Sequence, residues 1–66
     1  MNRQPVSSSR ITSVGWENNI LEIEFKNGAV YQYSGVSRSE YINFINSSSL
    51  GSALSSLDKM HTYHRV

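Results

Sequence analysis

Apolar and acidic residues alternate from Ile20 to Phe25, with Leu21, Ile23 and Phe25 on one side and Glu22 and Glu24 on the other. A period of two predicts a strand with one buried face. Upstream, Arg10 to Trp16 carries Ile11, Val14 and Trp16 around Thr12, a strand composition. Glu17-Asn18-Asn19 then supplies turn residues. Downstream, Lys26-Asn27-Gly28 offers the positive-φ tolerance of a hairpin turn, and Ala29 to Ser34 follows as a third strand. These segments predict an antiparallel meander.

Beyond Gly35 the period lengthens. Ser37-Arg38-Ser39-Glu40 fits a capping box, with Val36 and Tyr41 placed as a hydrophobic staple. Tyr41, Phe44 and Ile45 make the apolar stripe of a short helix, which Asn46-Ser47-Ser48-Ser49 ends by competing for backbone hydrogen bonds. In the next segment Leu50, Ala53, Leu54, Leu57 and Met60 fall on one face of a second, amphipathic helix. The tail from His61 to Val66 shows no readable period. The expected fold is therefore α+β: a three-stranded antiparallel β-meander followed by two short helices. It forms a single domain over residues 10–66 behind a polar, flexible lead-in over residues 1–9, which holds the only proline.

Size sharpens this picture. A chain of 66 residues without cysteine has a thin core and no disulfide staples, which predicts reliance on a second copy, a homodimer. Six Lys/Arg against five Asp/Glu leave a net charge of +1, too little for a general polyanion binder. Any nucleic-acid contact must then be local. No run approaches the roughly 20 apolar residues of a membrane span, and residues 1–5 lack the apolar core of a signal peptide. The expectation is a cytoplasmic protein that makes no membrane contact.

Several residues bear chemistry. Tyr31 and Tyr33 share one face of their strand. A two-residue turn at Asn27-Gly28 sets them beside Glu22 and Glu24, exposed as a stacking platform for bases. A three-residue loop Lys26-Asn27-Gly28 closing in a glycine bulge sets them instead beside Leu21 and Ile23, in the core. Arg10 and Arg65 can each offer a planar fork to phosphate or stand as solvated arginines, and Arg10 adjoins the Ser8 and Ser9 hydroxyls. Ser49-Leu50-Gly51 opens the second helix, where free amides favour an anion as well as a plain cap. Asp58, His61 and His64 lie three apart and would share a face on a continuing helix. No HExxH or nucleophile-elbow pattern accompanies them, so no metal, cofactor or catalytic residue is expected.

The ordered set Val6, Ser8-Ser9, Ile11, Val14-Gly15-Trp16, Leu21, Phe25, Asn27-Gly28, Tyr31-Gln32-Tyr33, Val36, Tyr41, Ser49-Leu50-Gly51 and Arg65 resembles the KTSC domain. That family is named for its occurrence at the C-terminus of some lysyl-tRNA synthetases and also stands alone in short bacterial and phage proteins. The chain departs from the family pattern at Ser37, where proline is usual, at Ser55, where asparagine is favoured, and in the aromatic arrangement of residues 61–64. The resemblance implies a small meander-plus-helix fold and the binding of RNA or nucleotides. The expected function is non-enzymatic binding of a nucleotide or short oligonucleotide. Ser9, Arg10 and Arg65 would take phosphate, and Tyr31, Tyr33 and His64 would stack on or hydrogen-bond to bases. Sequestration of a nucleotide signal, in the manner of phage anti-defence sponges, is its concrete form. The alternative is a protein-interaction module acting through an apolar or β-edge surface.

Overall fold

The structure, a computed structural model, describes all 66 residues. Five strands and two helices follow in the order β1 (Gln4–Pro5), β2 (Ile11–Glu17), β3 (Ile20–Phe25), β4 (Val30–Ser34), α1 (Arg38–Ile45), α2 (Leu50–Met60) and β5 (Tyr63–Arg65). All strands join one antiparallel sheet in sequential order. The α+β class and the central meander match the sequence pattern, and the sheet has five strands rather than three. The two added strands are the edges. Gln4–Pro5 lies in the segment read as a lead-in and pairs with Ser13 and Val14. Tyr63–Arg65 pairs with β4.

Two turns set the register. Asn18 and Asn19 both adopt positive φ, 51° and 64°, the backbone of a two-residue hairpin turn between β2 and β3. Between β3 and β4, Gly28 at φ 90° closes a three-residue loop, with the Phe25 amide donating to the Ala29 carbonyl and the Gly28 amide to Phe25. The bulge settles the parity of β4, so that Tyr31 faces Ile23 and Tyr33 faces Leu21. Both tyrosines therefore lie on the helix-packed side of the sheet, and Tyr33 is only 2% exposed. Val14, Leu21, Ile23 and Tyr33 meet Val36, Phe44, Leu54 and Leu57 in the core.

Local chemistry starts each helix. Ser37 accepts from the Glu40 amide while the Glu40 carboxylate accepts from the Ser37 amide, closing the expected capping box. Trp16 stacks on Tyr41 and donates its indole N–H to the Val36 carbonyl at 2.8 Å. The polar face of the sheet is not bare. Arg3 crosses it to Glu22 (2.6 Å) and donates to Ser13, and the Asn2 backbone runs over Gly15 so closely that a Cβ there would meet Asn2 O at 2.5 Å. No helix is long and apolar enough to cross a membrane.

Candidate functional site

Two clefts lie along one side of α2. The first, about 410 Å³, is formed where the turn before β2 meets the start of α2, and Ser8, Ser9, Arg10, Ser49, Gly51 and Ser52 line it. Ser8 Oγ accepts from the amides of Arg10 and Ile11, fixing the turn that presents Ser9 and Arg10. On the opposite wall Ser49 caps α2 through the Ser52 amide, and the first intrahelical bond runs from Ala53 to Ser49 O. The Leu50 and Gly51 amides precede that bond and have no acceptor within the helix. Arg10 forms no ion pair, and the first turn of α2 holds no acid. The Arg10 guanidinium lies over the helix start, its Nη1 3.7 Å from where a Cβ on Gly51 would stand. A cation and the positive end of a helix dipole thus share one cleft without a counter-anion.

The second cleft, about 230 Å³, is aromatic. Phe25, Tyr31, Tyr33 and Tyr63 line it together with Asp58. Phe25 meets Tyr31 edge-on at 5.7 Å, Tyr31 meets Tyr63 edge-on at 6.0 Å, and Tyr63 stacks on Tyr33 at 5.0 Å. Tyr33 donates its hydroxyl to Asp58 Oδ1 at 2.6 Å, leaving Oδ2 open. Burial of the Tyr33 ring, then the bond to the Asp58 carboxylate, pushes the phenol pKa well up, so it stays neutral and keeps donating. Along α2 the clefts are two helical turns apart, about 10 Å from Gly51 of the first to Asp58 of the second. Phe25 of the aromatic cleft pairs with Ile11, next to Arg10, and Gly51, Ser55 and Asp58 run at helical spacing down the intervening side of α2.

The sequence-predicted residues divide between these places. Ser9 and Arg10 line the polar cleft, and Tyr31 and Tyr33 the aromatic one, Tyr33 as a core residue that reaches it with ring and hydroxyl. Arg65 pairs with Tyr31 on the same face of the sheet. His64 pairs with Gln32 and so points to the opposite face, where Gln32 donates to Glu22. Asp58, His61 and His64 do not gather. Asp58 holds Tyr33, while His61 caps α2 and sets its ring between the Glu40 carboxylate (2.7 Å) and the Ser34 carbonyl (3.1 Å). Phe25, Asp58 and Tyr63 enter the aromatic cleft without having been anticipated there. Asp58 follows the apolar Leu57 of the α2 stripe, so its offset alone places it at the margin of the buried face.

The KTSC domain family model matches residues 7–63. A crystal structure of a KTSC domain protein from Yersinia pestis is similar, with a TM-score of 0.88 and 39% sequence identity, covering 98% of this chain and 96% of that one. A search of curated proteins finds no significant match.

Proposed function

The chain belongs to the KTSC domain family, and from that premise we propose that it binds a nucleotide or short oligonucleotide without changing it. The observation that carries this reading is the adjacency of the two clefts along α2. A cationic, amide-rich cleft suits phosphate, and an aromatic cleft two helical turns further along α2 suits a base. Ser9, Arg10 and the first amides of α2 hold phosphate, Tyr31 and Tyr63 stack, and Arg65 stands beside Tyr31. The open Oδ2 of Asp58 accepts from an exocyclic amino group of the base, a donor that guanine, adenine and cytosine carry and uracil lacks. Acting as a homodimer, the protein sequesters a nucleotide signal stoichiometrically, the mode of a phage anti-defence sponge.

Thermal-shift titration of the purified protein with nucleotides and short oligonucleotides tests this, because a ligand that binds only the folded state stabilises it by RT ln(1 + [L]/Kd). The expected outcome is a shift that Arg10→Ala reduces, with affinity falling about tenfold or more for loss of a charged hydrogen bond. Ligand recovered from denatured protein should be unchanged. A shift with no nucleotide, or one indifferent to Arg10, Arg65 and Tyr31, would transfer the assignment to the protein-interaction reading, which the open β5 edge favours.

A further inference from the structure

The two edges of the sheet are not alike. At β1 the strand is two residues long and ends in Pro5, which has no amide to offer. At β5 the edge is open. The Ser34 amide donates to Thr62 O and the Val66 amide to Val30 O, so residues 62, 64 and 66 turn their backbone groups toward β4. By the same alternation the amides and carbonyls of Tyr63 and Arg65 point away from the sheet. No element flanks them, and all three β5 residues are exposed.

Four outward groups, two donors and two acceptors, stand symmetrically about His64. A second β5 laid antiparallel with a two-fold axis at His64 sets Tyr63 opposite the partner's Arg65, and Arg65 opposite the partner's Tyr63. Each of these pairs exchanges two hydrogen bonds, and all four outward groups of each strand are satisfied. Among residues 62–66, any other antiparallel register leaves some of them unpaired. Charge agrees with the register. Tyr63 lines the aromatic cleft beside Asp58, a carboxylate without a cation, and Arg65 is a cation without a carboxylate. The two-fold brings the partner's Arg65 to the Asp58 side of the cleft, next to the face of Tyr63. On the other face it sets His64 against the partner's His64.

We infer that β5 is the interface with a second copy of this chain, paired antiparallel about His64, and that the partner's Arg65 completes the aromatic cleft. The pairing itself does not depend on any ligand. The role of the partner's Arg65 in recognition rests on the nucleotide reading above.

Cysteine cross-linking in the full chain without ligand tests the pairing, since the protein has no cysteine of its own. The 64–64 pair is non-hydrogen-bonded, with Cβ atoms about 4.5–5.5 Å apart and at the closer end for such pairs, near the span a disulfide needs. His64→Cys should oxidise to a covalent dimer. Thr62→Cys, also exposed but opposite the partner's Val66, should form no covalent dimer. Sedimentation gives a second reading. His64→Lys puts like charges face to face on a side chain outside the core and should lower the dimer fraction several-fold. Arg65→Pro removes an outward amide together with the guanidinium and should do the same while circular dichroism stays unchanged, whereas Arg65→Ala, which keeps the amide, should lower the dimer fraction less. If His64→Cys gives no covalent dimer, or Thr62→Cys links equally well, the pairing is wrong. A wild-type monomer at every concentration would overturn it too, whatever nucleotides bind.

Discussion

The hydroxyl of Tyr33, a core residue of β4, ends 2.6 Å from the carboxylate of Asp58 on α2, and this bond ties the sheet to the helix across the aromatic cleft. Neither residue alone explains the contact. Tyr33 needs an acceptor because its ring is buried, and Asp58 supplies one from the last turns of the helix. Tyr33→Phe should keep the packing and lose a charge-assisted hydrogen bond, about 1.5–3 kcal/mol in urea unfolding. Tyr33→Ala should cost about 3–5 kcal/mol, enough to unfold a domain of this size. In a double-mutant cycle with Asp58→Asn, the two changes should couple by about 1 kcal/mol or more. Additive effects would mean that the bond contributes nothing.

Ionisation should limit stability at both ends of the pH scale. Hydrogen bonds from Gln32, and then the Arg3 guanidinium, hold the buried Glu22 carboxyl below its ordinary value. The Ser37 amide and then His61 do the same for Glu40. A carboxylate with a lowered folded pKa contributes stability that is present above its unfolded pKa of 4.5 and is lost as pH falls through the lower folded value. Denaturant midpoints should fall steadily below pH 4.5, and Gln32→Ala should flatten that limb. Tyr33 acts in the opposite direction. Its raised pKa means the unfolded phenol ionises first, so its contribution is present below the unfolded value of 10.0 and is lost as pH rises above it. Tyr33→Phe should remove part of the alkaline limb and leave the acid limb in place.

What could be read from the sequence, and what could not, follows from range. The β2–β4 meander and the Ser37–Glu40 capping box depend on neighbours within a few residues, and the pattern carried them. The parity of Tyr31 and Tyr33 depended on one residue of loop length, and Lys26-Asn27-Gly28 suits both two- and three-residue turns. Only the Gly28 bulge decides it. β5 gave no period because it is three exposed residues long, held by pairing with a strand some 30 positions earlier. Without that register, nothing places Arg65 beside Tyr31 or turns His64 to the far face. Tyr63 joined the aromatic cleft by the same long-range route, and Asp58 through its hydrogen bond from Tyr33, 25 positions earlier.

Gly15 should prove intolerant for a reason far along the chain. Its missing Cβ leaves room for the Asn2 backbone, at 2.5 Å from the ideal Cβ position. Gly15→Ala must either displace residues 2 and 3 or move β2, a cost of about 1–3 kcal/mol typical of overpacking. Displacing the segment would also pull Arg3 from Glu22. The measurement is non-additivity. Deleting residues 1–4 costs stability by itself, but in that background Gly15→Ala should cost almost nothing. An equal penalty in both backgrounds would place the strain within β2 instead.

Gly51 gives the reverse case, in which one substitution should move stability and binding in opposite directions. It sits in the first turn of α2, where glycine gives up backbone entropy that alanine does not, a difference of up to about 1 kcal/mol. Its backbone is ordinary helix, and an added Cβ would meet only Arg10, at 3.4 Å from Cδ, so alanine fits without displacing the main chain. Gly51→Ala should therefore raise the melting temperature by a few degrees. The same methyl group stands on the floor of the polar cleft, between Arg10 and the helix amides that are assigned to phosphate. It should weaken nucleotide binding several-fold, and Gly51→Val more strongly. If this glycine serves only the helix, or only spaces Arg10, alanine will stabilise the fold and leave ligand affinity where it was. A more stable protein that binds less well is the outcome that requires an anion between Arg10 and the start of α2.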